Sequence, residues 1–477
     1  MGDTAHLSAK ERILTLLDNN SFVEVGALVT KRSTDFNLQQ KEVPSDGVIT
    51  GYGIIDGKPV YVYAQDVLAM NGTIGEMHAK KIAQIYDLAL KVGTPVIGLI
   101  DCAGLRLQEA TDALAGFGEV YYKQVLASGV IPQITAVFGT CGGGCAVSAS
   151  LSDFVFMESK NAKLFVNAPN TILGNNQERC NTASATHMAE AGVVDFMFDN
   201  ETSVLQNVRN LIGILPSNNE DEDSYGECGD DLNRLLPNLG EELEDVSYAL
   251  KDISDHGFYM EVKQAYAKEM VTAFIRLNGR TVGAIANRSM VLNEEAKKLA
   301  EFDTTLTSAA CYKAEKFIRI CDAYNIPIVT LTNVTGYSAN MKDESSIAIA
   351  AGKLTYAFAN ATVPKVNIIT KKAYGSSYIT MNSKHIGADM VFALEHAEIG
   401  TMDAEIAVQI MYPEHTIDRQ EKLEEYKALQ HDATSAAKRG YVDAIISSDS
   451  VRQHIIYAFE MLHTKREMRP NKKHGTV

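Results

Sequence analysis

Apolar residues recur at helical spacing over residues 8–18 (Ser-Ala-Lys-Glu-Arg-Ile-Leu-Thr-Leu-Leu-Asp), behind a serine suited to a helix N-cap. They do so again over Met77–Val92, where Ile82, Ile85, Leu88 and Ala89 share one side. Between these helices Val48–Ala64 alternates around Asp56-Gly57, a dipeptide that tolerates the positive φ of a two-residue hairpin turn. Pro95–Ile100 and residues 134–138 are short unbroken apolar runs, the pattern of strands covered on both faces. Strand then alternates with helix to about residue 215, which predicts an α/β fold with crossover helices over parallel strands.

The pattern then repeats. Asp18–Val25 is echoed by Asp255–Val262, Gly51–Val60 by Ala273–Val282, Gly93–Asp101 by Asn325–Asn333, and Ala191–Asp195 by Arg439–Asp443, always in the same order. So long a period means two copies of one domain rather than a solenoid. The expected domains are 1–215 and 251–477, separated by a solvated acidic linker at 216–250 that holds Glu220, Asp221, Glu222, Asp223, Glu227, Asp230 and Asp231. The second domain closes with a strand through Ala444–Ile446 and a helix containing Val451, Ile455, Phe459 and Leu462, followed by a polar tail from Pro470.

One stretch stands out within the first copy. Residues 129–150 read as a buried strand, then Gly142-Gly143-Gly144, then a helix opening at Cys145–Ser150. Glycines permit backbone angles and close approaches that a Cβ blocks, and the first N–H groups of a helix lack partners, so the turn suits an anion or a developing oxyanion. Taken alone, the stretch reads equally well as a tight turn without a ligand. Ala361–Tyr378 tips the balance: it has the same proline, the same apolar strand and a second small-residue turn, Gly375-Ser376-Ser377, 232 positions later. Two such sites suit chemistry that passes through two oxyanions.

Composition removes alternatives. With 46% hydrophobic and 22% charged residues the chain is an ordinary globular protein, and a net charge of −16 argues against nucleic acid as a partner. No apolar run approaches the roughly 20 residues needed to span a bilayer, and seven cysteines, mostly in apolar segments, suit free thiols in the cytoplasm. Cys141 and Cys145 lack a second zinc-spaced pair and an evident base, so neither metal binding nor nucleophilic catalysis is expected of them. There is no Gly-x-Ser-x-Gly elbow, Walker loop or His-Glu-x-x-His.

At this point a family becomes recognisable. The chain resembles the carboxyltransferase subunits of biotin-dependent acyl-CoA carboxylases, transcarboxylases and decarboxylases over nearly its whole length. The resembling segments include Asp46–Gly53, Gly72–Lys81, Asp101–Glu109, Leu126–Pro132, Ala361–Lys365, Asn382–His385 and Lys472–Gly475. The resemblance implies two tandem crotonase-like domains and a homo-oligomer, commonly a hexamer built from dimers. It implies that Gly143 and Gly144 hold an acyl-CoA enolate, that Ser376 and Ser377 hold the ureido oxygen of biotin, and that Gly104, Arg106, Gly375 and Ile379 contact substrate. Where relatives commonly carry two glycines this chain has Gly375-Ser-Ser377, so the register of the second turn can shift to Gly375 and Ser376.

The further implied components are a biotin carboxyl carrier protein, a biotin carboxylase or membrane decarboxylase subunit, and a short-chain acyl-CoA such as propionyl-CoA or methylmalonyl-CoA. No metal is expected. No Ala-Met-Lys-Met acceptor or glycine-rich ATP loop is present, so biotin should sit on a separate protein. The competing expectation is a crotonase-type hydratase, isomerase or hydrolase acting on a CoA thioester without biotin, which would need one oxyanion turn and acidic residues.

Overall fold

Ser8 accepts the Glu11 N–H on its hydroxyl while the Glu11 carboxylate takes the Ser8 N–H, a capping box that starts helix α1 (Ala9–Leu16). A two-residue edge strand, β1 (Val23–Glu24), precedes the hairpin of β2 (Val48–Ile55) and β3 (Lys58–Gln65), turned as expected by Asp56 and Gly57, both at positive φ. There follow α2 (Glu76–Val92), β4 (Val96–Cys102), α3 (Ala110–Ala127), β5 (Gln133–Gly142) and α4 (Gly144–Ser150). Strands β6 (Phe154–Glu158), β7 (Lys163–Phe165) and β8 (Phe196–Phe198) and helix α5 (Glu201–Ile214) complete this half.

The computed structural model describes residues 6–175, 179–221, 226–293, 295, 297–413 and 418–477. It divides into two units, Met1–Ser224 and Tyr225–Val477. The second unit runs α6 (Val246–Ile253), β9 (Tyr259–Glu261), β10 (Met270–Leu277), β11 (Arg280–Asn287), α7 (Ser308–Ala323), β12 (Ile328–Val334), α8 (Ile347–Asn360), β13 (Lys365–Tyr374) and α9 (Gly375–Thr380). It ends with β14 (Met390–Leu394), β15 (Glu398–Gly400), β16 (Ala444–Ile446) and α10 (Val451–Met461).

The two sheets have one topology. The first is ordered β1-β2-β3-β4-β5-β6-β8 with β7 beside the end of β5, and the second β9-β10-β11-β12-β13-β14-β16 with β15 beside the end of β13. In each, the edge strand and hairpin pair antiparallel and every later neighbour pairs parallel. The repeats read in the sequence therefore carry register as well as outline. Asp195 takes the Val155 N–H on its carboxylate at 2.7 Å and returns its own N–H to the Val155 carbonyl; Asp443 does the same with Val391 at 2.8 Å. Each aspartate pins one strand end, which is why both repeats end on it.

The expected linker is shorter than its charge suggested. Leu236, Leu239, Leu243, Val246, Ala249 and Leu250 are buried in the core of the second unit with Val271, Val329 and Phe459. The named acidic residues precede this stripe, and among them Asp230 is bound to Arg234 and Arg452. Glu222 and Asp223 lie outside the described residues. No described helix is long and apolar enough to cross a membrane.

Candidate active site

The first turn forms where β5 runs out beside β7. The β5 ladder carries Thr140, Cys141 and Gly142 against Lys163, Leu164 and Phe165, and Gly143 then reverses direction at φ 60°, ψ −123°, a conformation closed to residues with a Cβ. Gly143 donates its N–H to Phe165 O at 2.9 Å, and Ala146 donates to Gly143 O at 3.1 Å. Between them the amides of Gly144 and Cys145 meet no acceptor among the described residues. This corrects the expected pair: Gly143 shapes the turn with a committed amide, and the free donors are Gly144 and its neighbour Cys145. Helix α4 has seven residues, so the N–H groups themselves, more than a long helix dipole, are what the turn offers.

The thiols around this turn are inert. The Cys145 sulfur lies 3.2 Å from that of Cys102, and that contact together with burial pushes the Cys145 thiol well above its ordinary range. Burial does the same to Cys141. Neutral buried thiols serve neither as nucleophiles nor as ready metal ligands.

Gly104 and Arg106 follow β4 in the loop that faces this turn. Gly104 stands beside Gly142 O at φ 114°, a backbone conformation that glycine adopts without strain. Arg106 is a correction. Its side chain is fully buried, with Nη1 on Asp46 Oδ1 at 2.5 Å and Glu109 Oε1 at 2.8 Å and Nη2 on Thr73 O at 2.9 Å. Glu109 in turn takes the Glu76 N–H and Asp46 the His78 N–H, each at 2.7 Å. Arg106 is thus a buried cross-brace for the loop, committed to two carboxylates 60 and 3 positions away that its own stretch of sequence does not reveal.

The second turn repeats the first. Lys372, Ala373 and Tyr374 pair with Glu398, Ile399 and Gly400, and Gly375 reverses at φ 60°. The amides of Ser376 and Ser377 meet no acceptor among the described residues, and the Ser377 hydroxyl donates to Tyr374 O at 2.7 Å. Beside the turn lies a cavity of about 440 Å³ whose lining includes Gly375, Ser376, Ile379, His385 and Tyr441. Tyr378 also lines it, and burial raises its phenol to about 12, so it faces the cavity protonated. Ile379 and Gly375 thus stand where contact with a ligand is geometrically open. Nothing in the sequence marks His385 and Tyr441 as lining, since only folding brings residues 56 positions apart together.

A family model described as "Carboxyl transferase domain" matches residues 3–477. The chain belongs to that family. It is 39% identical to methylmalonyl-CoA decarboxylase subunit alpha of Propionigenium modestum, covering 99% of this chain and 93% of that one. It is 38% identical to the propionyl-CoA carboxylase beta chain of Roseobacter denitrificans, again over 99% and 93%. A solved structure of transcarboxylase 12S, a hexamer core with methylmalonyl-coenzyme A and methylmalonic acid bound, superposes with a TM-score of 0.92 at 36% identity, covering 99% of this carboxyltransferase and 92% of that chain. The two sheets are therefore those of two tandem crotonase-like domains, and the family of the chain is the one its motifs resembled.

Proposed function

We propose that this carboxyltransferase moves a carboxyl group between biotin on a separate carrier protein and the α-carbon of a short-chain acyl-CoA, with propionyl-CoA and methylmalonyl-CoA as the pair. The observation that supports this reading most is the presence of two turns in one register, each with two uncommitted amides. Transfer of a carboxyl group between two carbonyl compounds develops negative charge on two oxygens, and each turn answers one of them. The relatives named for methylmalonyl-CoA and propionyl-CoA favour the same acyl group.

In the first unit, the Gly144 and Cys145 amides take the thioester oxygen and stabilise the charge that collects there when the α-carbon loses a proton or a carboxyl group. Gly143 holds the turn, and the Gly104 loop closes over it. In the second unit, the Ser376 amide, with that of Gly375 or Ser377, takes the ureido oxygen of biotin. Biotin on its carrier supplies the carboxyl group and, once relieved of it, the base for the α-proton. No side-chain acid–base pair is required, and the reading uses no metal. Ile379, which lines the cavity at the second turn, limits the size of the acyl group.

The same reading assigns the chain a biotin carboxyl carrier protein, a biotin carboxylase or membrane decarboxylase subunit, and further copies of itself in a dimer-built hexamer. Its free cysteines suit the cytoplasm. The test is to incubate the purified chain with a carboxylated biotin carrier domain and a panel of acyl-CoAs. Methylmalonyl-CoA formed from propionyl-CoA supports the reading; hydration or hydrolysis of the thioester without consumption of carboxybiotin overturns it.

A further inference from the structure

We propose that Tyr121 is a positioning residue for the Cys145 amide, an inference that rests on the first turn being the acyl-thioester site. Tyr121 stands on α3 and its hydroxyl donates to Gly144 O at 2.7 Å. That carbonyl and the Cys145 N–H are the two ends of one planar peptide unit, so a bond that fixes the oxygen also fixes the direction of the N–H. The same bond polarises the peptide and makes the N–H a stronger donor.

The bond is not needed to pack the two helices. Gln124, one turn further along α3, already clamps α4: it takes the Ser148 hydroxyl on Oε1 at 2.8 Å and donates to Ser148 O at 3.1 Å. The absence of a side chain at residue 144 is what admits the phenol, since a Cβ there would lie 2.8 Å from Tyr121 Oη and 2.8 Å from the Phe117 ring. Burial raises the Tyr121 phenol, which keeps it a donor at working pH. The second turn is braced at a different peptide: Lys353 stands 232 positions after Tyr121, and there the Ser377 hydroxyl holds Tyr374 O, the carbonyl of the peptide that enters Gly375.

Tyr121→Phe removes one oxygen and keeps the ring. The expected result is a kcat about tenfold lower with the KM for propionyl-CoA little changed, because the lost effect belongs to the charged state. The second readout is the carbonyl stretch of bound propionyl-CoA labelled with ¹³C at the thioester, followed by difference infrared spectroscopy. Wild type should shift it to lower frequency on binding and Tyr121→Phe should shift it less. Gln124→Leu, which breaks the clamp and the Gln124 bond to Tyr86 but leaves Tyr121 in place, should lower thermal stability and leave the stretch where wild type puts it. A wild-type stretch that does not move overturns the thioester reading of the turn itself. An equal shift and equal kcat in wild type and Tyr121→Phe overturns the role of Tyr121 and leaves that reading standing.

Discussion

Gly143 and Gly375 stand 232 positions apart and share a backbone φ of 60°, each at the end of the strand that a short parallel strand flanks. The coincidence sets the register of the two turns: Gly144 corresponds to Ser376, and Cys145 to Ser377. Serine fits at 376 because only the turn glycine itself needs the positive φ. The doubtful register of Gly375-Ser-Ser377 is thereby aligned with a first turn whose own register moves one residue on.

Gly144→Val should abolish carboxyl transfer and leave a folded protein of unchanged size. A branched side chain at 144 falls 2.8 Å from the Phe117 ring and the Tyr121 hydroxyl, so the turn must shift away from α3 and its donors move out of place. Losing that donor site costs about 3 kcal/mol in transition-state stabilisation, or a factor above 100 in kcat/KM. Size-exclusion chromatography with steady-state kinetics checks it, and a variant near wild-type kcat/KM removes this turn from the chemistry.

Ile379→Ala should change which acyl group is preferred. Ile379 is half-buried on α9 and lines the cavity at the second turn, where loss of its branch adds room. A change of this size in an apolar pocket is worth about 1–3 kcal/mol of discrimination, so butyryl-CoA should gain on propionyl-CoA by about tenfold or more in relative kcat/KM. Unchanged ratios across acetyl-, propionyl- and butyryl-CoA would make Ile379 a core residue only.

His78 predicts an acid sensitivity of the first unit. Its ring is buried between Asp46 O at 3.0 Å and Gln65 at 3.2 Å, and burial, then the charge of Arg106, lower its pKa to about 3. In the unfolded chain it titrates near ~6.5. Between these values the unfolded state holds a proton that the folded state refuses, so stability falls as pH drops from 6.5 towards 3. Replacing His78 with Gln should flatten that limb by up to about 1.4 kcal/mol per pH unit relative to wild type. Denaturant unfolding at pH 7, 5.5 and 4.5 measures it; parallel pH dependences in the two proteins would contradict it.

Much of this was legible because local rules governed it. Ser8, Asp56-Gly57 and the apolar runs of β4 and β5 specify their own conformations, and the repeat predicted that the two halves share a topology. What escaped depended on partners distant in sequence. The charge run at 216–250 hides a leucine stripe because so dense a set of carboxylates reads as a solvated segment. Arg106 looked like a ligand because Asp46 is invisible from its position. The commitment of the Gly143 amide depends on Phe165, 22 residues on, whereas comparing the two turns residue by residue would have pointed to Cys145 from the sequence alone.

The central claim is that the first turn acts on a thioester and the second on biotin. It is tested most directly by the rate of methylmalonyl-CoA decarboxylation at rising concentrations of free biotin, in wild type and in Ser376→Pro. Proline is tolerated in the first turn of a helix and deletes only the N–H. The account predicts a saturable dependence on biotin in wild type. In Ser376→Pro it predicts loss of that dependence with methylmalonyl-CoA affinity unchanged. Turnover that ignores biotin, or a Ser376→Pro variant with the wild-type biotin response, would contradict it.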